Sequence, residues 1–162
     1  MGIIGRKKLN QFQENENCNL ESAPLIDNLD DIPLPSWHLL NMPDYVGEGR
    51  NWNIGVITQD RAATVVTTRG CPFQCTFCSS WTVHGRKMRY RSVDNVLDEL
   101  SILRNRYNVN MVIPEDDLFT VNKPRTMHLL KGIKEANIPN LEMQFPSALG
   151  VNTLDEEVID AM

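Results

Sequence analysis

The run Arg69-Gly70-Cys71-Pro72-Phe73-Gln74-Cys75-Thr76-Phe77-Cys78 places three cysteines in one short stretch. It follows directly on Ala63 to Thr68, a brief apolar and β-branched segment that suits a buried strand. The chain must therefore fold so that a strand delivers a thiol-bearing loop. Three thiolates in one loop can each grip a corner of a four-iron cluster, leaving the fourth iron without a protein ligand. Open coordination positions on metals are where chemistry happens, whereas closed sites are structural or electron-carrying.

Other readings of the same residues stay open at this point. With His84 as fourth ligand the set becomes Cys3His, an allowed tetrahedral zinc site. With Cys18 it becomes a closed cluster. Either would make the chain a non-catalytic iron-sulfur electron-transfer or zinc-binding module. A closed ferredoxin-like site brings a fourth nearby cysteine, often followed by proline, and none stands near the loop. Disulfides are disfavoured in a reducing compartment.

Bulk properties exclude several classes. The 162 residues suggest one domain, and 41% hydrophobic with 23% charged residues is ordinary for a globular protein. A net charge of -5 argues against a general nucleic-acid surface. No apolar run is long enough to span a bilayer. Met1 to Lys8 has no apolar core after its charges, so it is not a secretory signal, and Arg6 stands where a myristoylation motif needs Ser or Thr. These features point to a cytoplasmic protein with reduced thiols.

Two regions are visible, 1–61 and 62–162. The first lacks sustained periodicity and is punctuated by Pro33, Pro35 and Pro43. It reads as an irregular lead-in that wraps over a core, with Trp37, Leu39, Leu40 and Tyr45 as anchors. The second alternates. After the cysteine loop, Val93, Val96, Leu97, Leu100, Leu103 and Tyr107 recur at helical spacing, with Ser92 as N-cap. Asn110 to Ile113 predicts a second strand, ending at Pro114-Glu115-Asp116-Asp117. Asn122 caps a second helix with Pro124 in its first turn and Met127, Leu130 and Ile133 on its apolar face. Leu141, Met143 and Phe145 predict a third strand, and Thr153-Leu154-Asp155-Glu156 reads as a capping box opening a third helix.

Strand-helix alternation at this spacing argues for an α/β fold with a parallel sheet. The cysteines follow the first strand and the acidic cluster follows the second. Both then lie at the carboxyl ends of parallel strands, where α/β folds place their sites.

The cysteine spacing, with an aromatic before the last cysteine, resembles the signature of radical S-adenosylmethionine (SAM) enzymes. Asn28-Leu29-Asp30-Asp31-Ile32-Pro33-Leu34-Pro35-Ser36-Trp37-His38-Leu39-Leu40 resembles the connector before that core in the subgroup associated with cobalamin-binding domains. Gly85 to Ser92 resembles the basic lead into their first helix, and Asp116-Asp117-Leu118-Phe119-Thr120 their second-strand motif. The resemblance implies a partial (β/α) barrel. It implies a 4Fe-4S cluster on Cys71, Cys75 and Cys78, and SAM on the open iron. An external flavodoxin- or ferredoxin-like donor would reduce the cluster, cleaving SAM to methionine and a 5′-deoxyadenosyl radical that acts on a substrate the residues present do not identify. Methyl transfer and ring formation are the reactions of cobalamin-linked relatives.

The resemblance also implies roles for single residues. Phe77 would pack near the SAM adenine, its alternative being a core phenylalanine. Asp117 would receive the SAM ammonium, with Asp116 as substitute; strand alternation puts Glu115 and Asp117 on one face and Asp116 opposite. Arg86, Lys87, Arg89 and Arg91 read mainly as a solvated basic loop, or as partners for an anion or the acidic cluster. His84 and His128 read as surface residues, and Ser147 and Asn152 as weak SAM contacts. The family pattern is incomplete: no Asp-x-His-x-x-Gly cobalt-binding run occurs, so cobalamin is expected only in a longer protein. About three of the family's roughly six strand-helix units are present, counted as the repeats of a strand-helix barrel. The chain is expected to be a middle piece of a longer protein, poorly stable and inactive by itself.

Overall fold

The computed structural model describes residues 24–46, 61–147 and 149–162. Cys18 and much of the 1–61 lead-in lie outside the described residues. The fold is α/β. Strand β1 (Ala62–Val65) leads to a separate antiparallel stem, β2 (Thr68–Arg69) with β3 (Arg89–Tyr90), and then come β4 (Met111–Pro114) and β5 (Glu142–Met143). The main sheet is parallel in the order β1-β4-β5, with Ala62 opposite Met111, Val65 opposite Pro114 and Met111 opposite Glu142. All four residues of β4 are buried, as a central parallel strand requires. Among the described residues the sheet is open, three strands wide, and does not close into a barrel.

The helices are α1 (Met42–Tyr45), α2 (Ser80–His84), α3 (Val93–Tyr107), α4 (Lys123–Glu135) and α5 (Glu156–Ala161). The two long helices start where expected. Ser92 accepts from the Asn95 amide at 3.2 Å and Asn122 from the Arg125 amide at 3.2 Å. Helix α3 ends at Asn108, whose φ of 55° places it in the left-handed region that closes many helices. It buries Val96, Leu100 and Leu103 against Ala63, Val65, Val112 and Phe119. Each fully buried leucine of this kind contributes about 1.5–3 kcal/mol. Gly132 permits the close approach of α4, since a Cβ there would lie 2.9 Å from Val93 Cγ1.

Four expectations change. The buried face of α4 is Thr126, Leu129 and Leu130, with Ile133 packed beside them, rather than Met127, Leu130 and Ile133. A threonine can occupy the core face because its hydroxyl donates to the Phe119 carbonyl at 3.1 Å. The last helix is capped by Asp155, which accepts from the Val158 amide at 3.0 Å, and not by Thr153. Thr153 ends a 3-10 turn, with its hydroxyl on the Gly150 carbonyl and against Thr120. Strand β5 is shorter than Leu141–Phe145 because Phe145 turns to pack on Phe119 at 4.9 Å between ring centroids. Among the expected lead-in anchors only Trp37 packs inward; Leu39 is 76% exposed, and Leu40 and Tyr45 are exposed as well. Leu29, Met42 and Val46 are buried instead.

Candidate functional site

The cysteine loop is an excursion from the β2–β3 stem at the carboxyl end of β1. Gly70 opens it with φ 96°, where a side chain is strained, and a Cβ there would sit 2.4 Å from the Lys87 carbonyl oxygen. The Cys71 amide donates to the Gly85 carbonyl at 3.2 Å, so the two limbs of the excursion meet at its base. The Cys78 amide donates to the Cys75 carbonyl at 3.1 Å, which makes a tight turn of the last two cysteines. Arg86 lies over the Trp81 ring at 4.8 Å from its centroid and donates to the Phe73 carbonyl at 2.7 Å, bracing the outer limb.

All three cysteines are free thiols; Cys71 is half-buried, and Cys75 and Cys78 are exposed. Phe77 is 92% exposed, so it is not a core phenylalanine. Among the described residues no three His, Cys, Asp or Glu side chains are drawn together around one point, and His84 is not gathered with the cysteines. What fits an iron-sulfur group is the donor set and its presentation, three free thiols on one loop with two of them open to solvent. Burial pushes the His84 imidazole below its usual range, while nearby Asp117 works against that and Arg69 and Arg89 add to it.

The acidic cluster at the end of β4 divides by role. Glu115 is exposed. Asp116 is buried, and its carboxylate accepts from the Thr67 amide at 2.6 Å, the Thr67 hydroxyl at 2.6 Å and the Thr68 amide at 2.9 Å. Both of its oxygens are thus occupied inside the protein. Burial raises its pKa, and the three donors together with Arg125 oppose the rise. Asp117 is half-buried and turns to the cysteine loop, accepting from the Gly70 amide at 3.2 Å and from the Ser80 hydroxyl.

The basic run is not a solvated loop. Arg89 is 6% exposed and donates to the carbonyls of Ile26 and His84 at 2.7 and 2.6 Å. Arg91 forms a buried ion pair with Glu99 and donates to the Val66 carbonyl at 2.8 Å. Only Arg86 and Lys87 are exposed, and Lys87 pairs with Asp27. Ser147 and Asn152 are exposed.

Two contributors escaped the sequence reading. Ser80 carries no local signal. Arg125 does, since a cation in the first turn of a helix opposes the macrodipole. It donates to the Thr67 hydroxyl and carbonyl at 3.1 and 3.2 Å and stacks on Tyr90 at 5.6 Å, tying α4 to the end of β1.

Residues 65–162 match the family model described as the Radical SAM superfamily. An uncharacterized methyltransferase of Pyrococcus horikoshii is 37% identical over 162 residues, covering 99% of this chain and 32% of its own. The cytidylyl-2-hydroxyethylphosphonate methyltransferase of Streptomyces wedmorensis is 32% identical over 145 residues, covering 88% of this chain and 26% of its own. The anaerobic magnesium-protoporphyrin IX monomethyl ester cyclase of Cereibacter sphaeroides is 31% identical over 126 residues, covering 78% of this chain and 19% of its own. The chain spans a third or less of the length of these relatives.

Proposed function

The chain belongs to the radical SAM superfamily, and we propose that Cys71, Cys75 and Cys78, as thiolates, hold three corners of a 4Fe-4S cluster whose fourth iron takes SAM. When bound, this pair supplies reductive cleavage of the SAM carbon-sulfur bond. The observation that carries the reading is the placement of three free thiols on one loop at the carboxyl end of β1, with the acidic end of β4 against its base.

In this reading each residue has a limited task. Phe77, exposed between two of the cysteines, offers an apolar face to the adenine. Asp117 answers the SAM ammonium by charge. Asp116 stands behind it, its oxygens engaged by Thr67 and Thr68. Exposed Cys75 and Cys78 leave the cluster reachable by an external flavodoxin- or ferredoxin-like donor, and free thiols suit a cytoplasmic setting. Residues 62–162 would be the first part of the core domain and 1–61 its connector. The methyltransferases and the cyclase among the relatives favour methyl transfer or ring formation by the whole protein. Cobalamin, which the connector's resemblance implies, would then come from a part of that protein outside this chain.

Anaerobic reconstitution with iron and sulfide, followed by metal and sulfide analysis, tests the reading. A brown protein with about four irons per chain is expected. Stoichiometric zinc in a colourless protein would overturn it.

A further inference from the structure

We infer that Asp117 is the clasp of the cysteine loop, a positioning residue whose single carboxylate holds the loop's two ends. This rests on the proposed cluster site. The residue before the first cysteine is Gly70, and its amide donates to Oδ2 of Asp117 at 3.2 Å. Two residues after the last cysteine is Ser80, the first residue of α2, and its hydroxyl donates to Oδ1. One side chain therefore spans the whole Cys71–Cys78 segment.

Few other contacts among the described residues restrain that segment. Residues 72–78 are exposed, so among the described residues burial does little to fix their path. The Cys71–Gly85 and Arg86–Phe73 bonds tie its first half to the residues that follow α2, and the Cys78–Cys75 turn holds its second half only locally. Without the clasp the end of the loop nearest Cys78 would be held to the end nearest Cys71 only indirectly, through α2 and the Cys71–Gly85 bond. Bringing three thiols onto one cluster would then require closing that loop at the moment of binding, an entropic cost the clasp removes beforehand.

The clasp needs hydrogen-bonding geometry rather than charge. An asparagine oxygen can still accept from the Gly70 amide, and its NH2 can donate to the Ser80 hydroxyl, which accepts as readily as it donates. An alanine can do neither. The SAM ammonium role makes the opposite demand, since asparagine lacks the charge.

The test uses the full chain carrying Asp117→Asn, Asp117→Ala or Ser80→Ala. Two readouts are taken: backbone hydrogen exchange over residues 69–80 in the iron-free protein, and iron retained after reconstitution and desalting. Asp117→Ala should speed exchange at Gly70 and Cys71 about fivefold to tenfold, the worth of a lost hydrogen bond, and should retain less iron than wild type. Ser80→Ala should loosen the Cys78 end and leave Gly70 protected. Asp117→Asn should match wild type in both readouts while weakening the response of the reduced cluster to SAM. The inference is overturned if Asp117→Ala and Ser80→Ala both keep wild-type exchange, or if Asp117→Asn is as loose as Asp117→Ala. Because exchange is read without iron, wild type that binds no cluster would sink the proposed function and leave the clasp to be judged separately.

Discussion

Asp116 and Thr67 are joined twice, with the carboxylate of one accepting from both the amide and the hydroxyl of the other at 2.6 Å. Thr67 lies just beyond β1 and Asp116 just beyond β4, so the bond locks the carboxyl ends of neighbouring parallel strands. The cysteine loop departs from this locked edge.

Asp116→Ala should therefore be severe. It leaves the buried amides of Thr67 and Thr68 without acceptors, at about 1–3 kcal/mol each. Asp116→Asn keeps an acceptor for both and should cost under about 1.5 kcal/mol. Urea unfolding of the two variants checks the order.

The same residue predicts a pH dependence. Its folded pKa is raised above 3.8, so on the acid side the native state binds more protons than the unfolded state. Its contribution is present below the unfolded value and lost as pH rises through the folded one. The stability of wild type relative to Asp116→Asn should grow as pH falls from about 7 toward about 4. A gap that shrinks over that range would contradict the burial argument.

Gly70→Ala should separate fold from site. The added Cβ meets the Lys87 backbone oxygen at 2.4 Å, and a left-handed alanine costs about 1–2 kcal/mol besides. The main sheet and its helices do not depend on that turn. Circular dichroism should remain near wild type while iron retention drops, and full iron loading would show that the turn is not needed.

Much of the fold was legible because its long elements repeat. Helices α3 and α4 have caps and an apolar period, and the strand ends follow from their order. The β2–β3 stem was not legible, since two residues per strand carry no period. The divided roles at Asp116 and Asp117 were hidden for another reason. Alternation along a strand separates their faces, but their partners Thr67, Gly70 and Ser80 lie 49, 47 and 37 residues away, and no local pattern encodes such pairs. The basic run misled because Arg89 and Arg91 are charged yet satisfied internally by carbonyls and Glu99.

The link from the lead-in to the core can be tested at Glu99, which is 1% exposed, pairs with Arg91 and accepts from the Trp37 indole at 3.2 Å. Glu99→Ala strands a buried arginine and should cost about 3–5 kcal/mol. Trp37→Phe removes one hydrogen bond and should cost about 1 kcal/mol. Comparable losses from the two would mean the ion pair is not the main contributor.

The most direct test of the open cluster is electron paramagnetic resonance of the reconstituted, reduced protein with and without SAM. A 4Fe-4S signal that SAM shifts is predicted, lost on Cys71→Ala, Cys75→Ala or Cys78→Ala and retained on Cys18→Ala. A cluster signal indifferent to SAM and abolished by Cys18→Ala would show a closed, four-cysteine site and contradict the account.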